Sequence, residues 1–336
     1  MMTETAAKYH HLIPRTYLSA WEHGKGTLYV RFLDNEKVIE RNKDKIAGVK
    51  NYHSIGAGMP IVTLEDADKI FACLENLEVY YGDTIISNNL KLNNIYNDFE
   101  NWKIYRKDGT IVSKKKLKSE IDKVKIRDIE EQWSTKYEAQ WGKVRSELEN
   151  RILNSSGGII PGVYKEYLMK FYIALDWRSI KSNSVFNEVW EYFCKELLPL
   201  DKINIPNNNR ELLMLDNASK EIRHYMLLKF YRQYLNDLGI IYEYAMENLS
   251  RTSFHFLVAD GMETFNTSDN PAFKFKKSDG KIEGILPLTP RILMVQGKCS
   301  NQDPNFYVSH ITDETVLRYN AEIKKNASNF IVQLSN

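Results

Sequence analysis

IRDIEEQWSTKYEAQWGKVRSELENRIL, residues 126–153, decides the fold. Trp133, Tyr137, Trp141, Val144, Leu148 and Ile152 recur in steps of three and four, which gathers them into one apolar stripe along a helix. Asn154, Ser155, Ser156, Gly157 and Gly158 stop it. A second helix is predicted over 161–182, with Leu168, Phe171 and Leu175 on one face, and further helices over 184–198 and 218–238. The middle of the chain therefore reads as a helical bundle.

On the N-terminal side, Pro14 suits a first helical position and residues 16–21 continue with helix-compatible spacing. Residues 27–33 and 37–41 flank Asp34, Asn35 and Glu36 as a hairpin with a polar turn. Residues 88–125 are rich in Asn and Lys and read as an insertion; the run Lys114, Lys115, Lys116 is a solvated face, or alternatively a phosphate contact. Past Ile240 the composition turns to strands, at 253–259, 264–266, 272–276, 292–296 and 329–334, with one helix at 313–326. No fixed-period repeat is present. The predicted class is α+β, a central helical bundle flanked by an N-terminal hairpin and a C-terminal, mostly antiparallel sheet. One elaborated domain over 1–336 is expected, with a helix and hairpin at 8–62, the insertion, a helical core at 126–240 and a strand-rich part at 241–336.

Composition narrows the partners. The 336 residues are 43% hydrophobic, enough for one large core, since single cores stop growing at roughly 250 to 300 residues. A net charge of +2 excludes a generally basic nucleic-acid coat but leaves room for a local basic groove. Cys73, Cys194 and Cys299 show no paired spacing and read as buried thiols in a reducing cytoplasm. The start MMTETAAKYHH lacks the basic and apolar regions of a secretory signal, and no apolar run approaches the ~20 residues of a membrane span. A cytoplasmic location without membrane contact is expected. Twenty tyrosines and six tryptophans interleave with Leu and Ile at helical spacing, as core residues do.

Several residues carry the means for chemistry. His10 and His11 precede the first helix, where imidazole can move protons or hold a metal near neutral pH. On an extended segment they point to opposite faces, so one can act while the other anchors. Glu131 and Glu138, seven residues apart, share a face of a regular helix and could hold a divalent cation. Arg178 continues the apolar series Leu168, Phe171, Leu175 and so needs an anion, either a carboxylate of the chain or one on a ligand. Thr267, Ser268, Asp269, Asn270 and Pro271 form a turn between strands that either caps local amides or displays a catalytic carboxylate. The Gly-x-Ser-x-Gly elbow, the Walker loop and the dinucleotide fingerprint are missing, which disfavours ATP-driven and nicotinamide chemistry.

Taken in order, HHLIPRTYLSAW at 10–21, the helix with Glu131 and Glu138, FYIALDWRS at 171–179, TSDNP at 267–271, LPLTP at 286–290 and the late Asn320 resemble a bacterial family, the domain of unknown function four-two-three-eight. Where that family tends to have glutamine this chain has Asp176. The resemblance implies that His10, His11, Glu131, Glu138, Arg178 and Asp269 converge in one pocket. HHLIP is also similar to the first strand of an HNH nuclease, but no further part of that finger follows. The residue mix points to a metal-dependent phosphodiester hydrolase, nuclease-like, of the kind found in phage defence or toxin modules, acting on nucleic acid or a nucleotide. In that reading His10, His11, Arg178 and Asp269 are catalytic, and His11, Glu131, Glu138 and Asp269 hold Mg²⁺, Mn²⁺ or Zn²⁺. The alternative is a non-catalytic binding or sensor module whose polar residues form a buried network.

Overall fold

The stretch ahead of Pro14 pairs before it turns helical. In the computed structural model, which describes residues 9–179, 181, 184–194, 200–205, 215–277, 279–301 and 303–335, β1 (Tyr9–His11) runs antiparallel to a later strand with His10 opposite Val49. Pro14, with φ −58° and ψ 135°, caps α1 (Arg15–Leu18) and is not its first helical residue; the helix is one turn, continued by a 3-10 turn at Ser19–Trp21. The expected hairpin forms from β2 (Thr27–Phe32) and β3 (Val38–Asn42), with Glu36 at φ 54° in its turn, and β4 (Gly48–Lys50) supplies the partner of β1.

Next come α2 (Leu64–Ile70), started by a Thr63–Asp66 capping box, then β5 (Leu77–Tyr81), β6 (Thr84–Ile85), α3 (Asn89–Asn94), β7 (Trp102–Arg106) and α4 (Lys114–Lys123). Residues 88–125 do not stand apart from the body. β7 pairs with β5, and Tyr96, Phe99, Trp102, Ile104, Leu117 and Ile121 join the principal core.

The long helix is broken where its sequence asks for it. α5 (Asp128–Trp133) passes through a π-helical turn, Ser134–Glu138, into α6 (Ala139–Leu153). Steps of four residues drift by about 40° each in a regular α-helix, so Trp133, Tyr137 and Trp141 would leave one another's face. The wider turn absorbs that drift, and all three are buried. β8 (Gly158–Pro161) takes in Pro161, the expected start of the second helix, and α7 (Lys165–Arg178) begins later than expected. It is buried on nearly every side, the position of a central helix. α8 (Ser184–Tyr192) and α9 (Ala218–Leu235) follow as expected; residues 195–198 of the expected 184–198 helix lie outside the described residues.

Past residue 238 the sequence reading needs correction. Gly239–Ser250 forms a helix, α10, entered through Asp237 and Gly239 at positive φ. Its Ile, Tyr and Met residues look strand-like locally, but packing against α7 and α9 decides. β9 (Thr252–Ala259), β10 (Thr267–Ser268), β11 (Phe273–Lys276), β12 (Ile282–Thr289), β13 (Ile292–Lys298) and β14 (Asn305–Ile311) precede α11 (Asp313–Asn326), found with its expected bounds, and β15 (Phe330–Gln333). Thr264–Asn266 is not a strand, while β12 and β14 are strands the sequence concealed. Pro287 hid β12, and the register shifts between Pro287 and Thr289, the irregularity that tolerates a proline.

Six strands form one sheet in the order β11-β12-β13-β9-β14-β8, antiparallel except between β9 and β14. A second sheet, β10-β15-β2-β3, joins the N-terminal hairpin to the last strand. One face of the large sheet, through Phe254, Phe256, Leu286 and Met294, meets the helical core, and the other, through Leu293 and Val295, meets Val316, Tyr319 and Ile323 of α11. The α+β class holds. No helix among the described residues is long and apolar enough to cross a membrane. All three cysteines are free, but only Cys194 is buried; Cys73 is exposed and Cys299 half-buried.

Candidate functional site

β1 turns His10 inward and His11 sideways, as alternation along a strand requires. His10 is fully buried, and its Nδ1 accepts the backbone N–H of His53 at 2.8 Å, the two rings stacked 5.7 Å apart. His53 follows β4 in a turn. Its Nδ1 lies 2.5 Å from Glu130 Oε1, on the first turn of α5. A backbone bridge between Ile55 and Ile126 brings those two segments together. Arg178, from the last turn of α7, closes the group. Its Nη2 donates to both Glu130 oxygens at 2.9 and 3.1 Å, and Nε and Nη2 donate to the His11 carbonyl at 3.0 and 2.7 Å. The guanidinium lies over the Trp133 ring, 4.6 Å from its centroid.

Burial sets the protonation of this group. Desolvation carries the pKa of His10 and of His53 down to about 4, against the opposing pull of Glu130, so both imidazoles are neutral at pH 7. Burial by itself would raise Glu130; Arg178 and the imidazoles outweigh it and hold the carboxyl well below the usual range. An ionised carboxylate only accepts, so the short contact is His53 Nδ1–H donating to Glu130. His10 Nδ1 also accepts, which leaves its proton on Nε2, a buried atom with no partner among the described residues.

His10, His53 and Glu130 form a group that can hold a metal ion, with one ligand atom from each lying within 4.8 Å of the others. Two imidazoles and one carboxylate are a set that zinc and non-haem iron both accept. Next to it, Tyr52, His53, Arg178, His224 and Tyr231 line a hollow of about 20 Å³, room for one water molecule. Burial also lowers His224 to about 4, and its Nε2 has no partner among the described residues.

The profile of the family described as protein of unknown function, DUF4238, matches residues 9–336. The chain belongs to the DUF4238 family. No curated protein and no solved structure matches it.

Of the residues singled out in the sequence of this DUF4238 chain, the fold joins His10 and Arg178 in one group and leaves four outside it. His11 contributes its carbonyl to Arg178, while its ring Nδ1 contacts the Ile46 carbonyl at 3.3 Å. Glu131 is exposed, and Glu138 accepts from Trp133 Nε1 at 2.8 Å. The π turn between them removes the shared face that a regular helix would give. Asp269 accepts from the amides of Ser328 and Asn329 at 2.8 and 2.7 Å and from Asn329 Nδ2 at 2.8 Å, which ties the turn after β10 to the chain entering β15. It borders a separate cleft of about 430 Å³ with Lys45 and Phe330. The anion that Arg178 requires is Glu130, a residue of this DUF4238 chain. Glu130 was legible, since it precedes Trp133 by three residues and so shares its inward stripe. His53 sits in a turn, where periodicity carries no signal.

Proposed function

We propose that this chain is a metal-dependent hydrolase of phosphodiesters whose metal is held by His10, His53 and Glu130. The supporting observation is the convergence of two neutral imidazoles and an ionised carboxylate from three separate segments. That donor set suits Zn²⁺ better than Mg²⁺, which prefers oxygen ligands. His10 and His53 would hold the ion as neutral imidazoles and Glu130 as an ionised carboxylate. A metal there would supply a water acidic enough to attack phosphorus at neutral pH, with the ester P–O bond breaking and the leaving oxygen taking a proton. Arg178, already oriented by the His11 carbonyl, is the nearby positive charge for a phosphoryl oxygen. Glu130, the member whose side chain keeps 22% exposure, marks the side of approach. Cleavage of DNA, RNA or a nucleotide, and a role in phage defence, extend this reading.

A second reading, a metal-free polar network in a binding or sensor module, is favoured by one feature. Glu130 is already satisfied by Arg178 and by the His53 proton, and His10 Nδ1 by an amide. Elemental analysis of the purified chain, with calorimetric titration of Zn²⁺ and Mn²⁺ and nuclease assays on DNA and RNA, separates the two. The hydrolase reading expects about one metal per chain and cleavage, both lost in Glu130→Gln and His53→Ala. A chain that binds neither ion supports the network reading.

A further inference from the structure

A cleft of about 410 Å³ opens between the end of α10 and the strands β11, β12 and β13. Its size is that of small-ligand sites, which run from about 300 to 1,000 Å³. Gln296 lines the floor, is 7% exposed, and its amide nitrogen has no hydrogen-bond partner among the described residues. The fully buried Tyr172 hydroxyl has none either. The two meet above Gly284, where a Cβ would stand 2.9 Å from Gln296 Oε1 and 2.9 Å from Tyr172 Oη, so a side chain there would press on both. Buried polar groups in folded proteins are nearly always bonded, and those that are not need a partner from outside the chain.

The mouth of the same cleft is cationic. Arg251, Lys274 and Lys298 line it with a single acid, Glu247. Arg251 pairs with Glu247 at 3.0 Å and Lys274 donates to the Tyr244 hydroxyl at 2.7 Å, whereas Lys298 has no ion pair among the described residues. An unpartnered amide in the cleft wall and excess positive charge at the rim describe a guest with a hydrogen-bonding atom at one end and an oxyanion at the other.

We propose that this cleft binds a small phosphorylated molecule, its polar body on Gln296 and its phosphate at Lys298 and Lys274. The site shares no residue with the His10, His53 and Glu130 group and is independent of the hydrolase reading. Calorimetric titration of the full chain with adenosine 5′-monophosphate, ribose 5-phosphate and orthophosphate tests it. At least one organophosphate should bind with Kd below ~1 mM and more tightly than orthophosphate. Lys298→Ala, a surface change, and Gln296→Leu should each weaken it about tenfold or more. Failure of both organophosphates to bind, equal binding of orthophosphate, or binding that survives Lys298→Ala and a folded Gln296→Leu unchanged would overturn the proposal.

Discussion

Arg178 and Glu130 form an ion pair at 2.9 Å in which the arginine side chain is fully buried and the carboxylate keeps partial access to solvent. Arg178 also holds the backbone of β1 through the His11 carbonyl, so a single side chain ties the N-terminal strand to α5 and α7. Removing one partner leaves the other charge uncompensated. Arg178→Ala and Glu130→Ala should each cost about 3–5 kcal/mol in urea unfolding, and the double variant should cost less than the sum. Additive losses would show that the pair is not coupled.

Acid should unfold the protein through its buried imidazoles. His10, His53 and His224 fall from 6.5 to about 4 in the folded chain, so between those values the unfolded chain binds more protons. Stability is therefore fully present above pH 6.5 and drops as pH falls toward 4, by up to about 1.4 kcal/mol per pH unit for each histidine. Glu130, with its lowered pKa, adds its own loss only further into acid. Urea midpoints from pH 7.5 to 4.5 check this, and His224→Asn should flatten the slope. A flat profile over that range would falsify the assignment of neutral buried imidazoles.

Asp269 accepts three N–H groups across the junction of β10 and β15. Asp269→Ala should lower stability by roughly 2–3 kcal/mol while leaving unchanged the metal uptake proposed for His10, His53 and Glu130. Loss of metal binding in a folded Asp269→Ala chain would instead link it to that group.

The π turn at Ser134–Glu138 sets the rotation of Glu130 and Trp133 relative to α6. Inserting one alanine after Thr135, an exposed residue, adds a residue that the wide turn does not absorb and should turn α5 by roughly 100° about its axis, pulling Glu130 from Arg178. A thermal melt lowered by many degrees is expected, against a change within about 0.5 kcal/mol for Glu131→Ala on the wet face. An unaltered melt in the insertion variant would mean that the rotation of α5 has no positioning role.

The N-terminal hairpin, the apolar stripe from Trp133 to Ile152 and the bounds of α11 could be read from the chain, because hydrophobic period and turn residues act over a few neighbours. Local readings failed at α10, where helix packing overrode strand-like residues, and at β12, where an internal proline looked like a terminator. The site divides the same way. Sequence by itself determined that only one of His10 and His11 could face inward and that a buried Arg178 needed an anion. Tertiary structure alone decided that the inward histidine is His10, that the anion is Glu130, and that His53 stands between them. Those choices depend on a strand pairing and a widened helical turn that join segments more than forty residues apart, and spacing along a chain carries no record of which distant surfaces will close on each other.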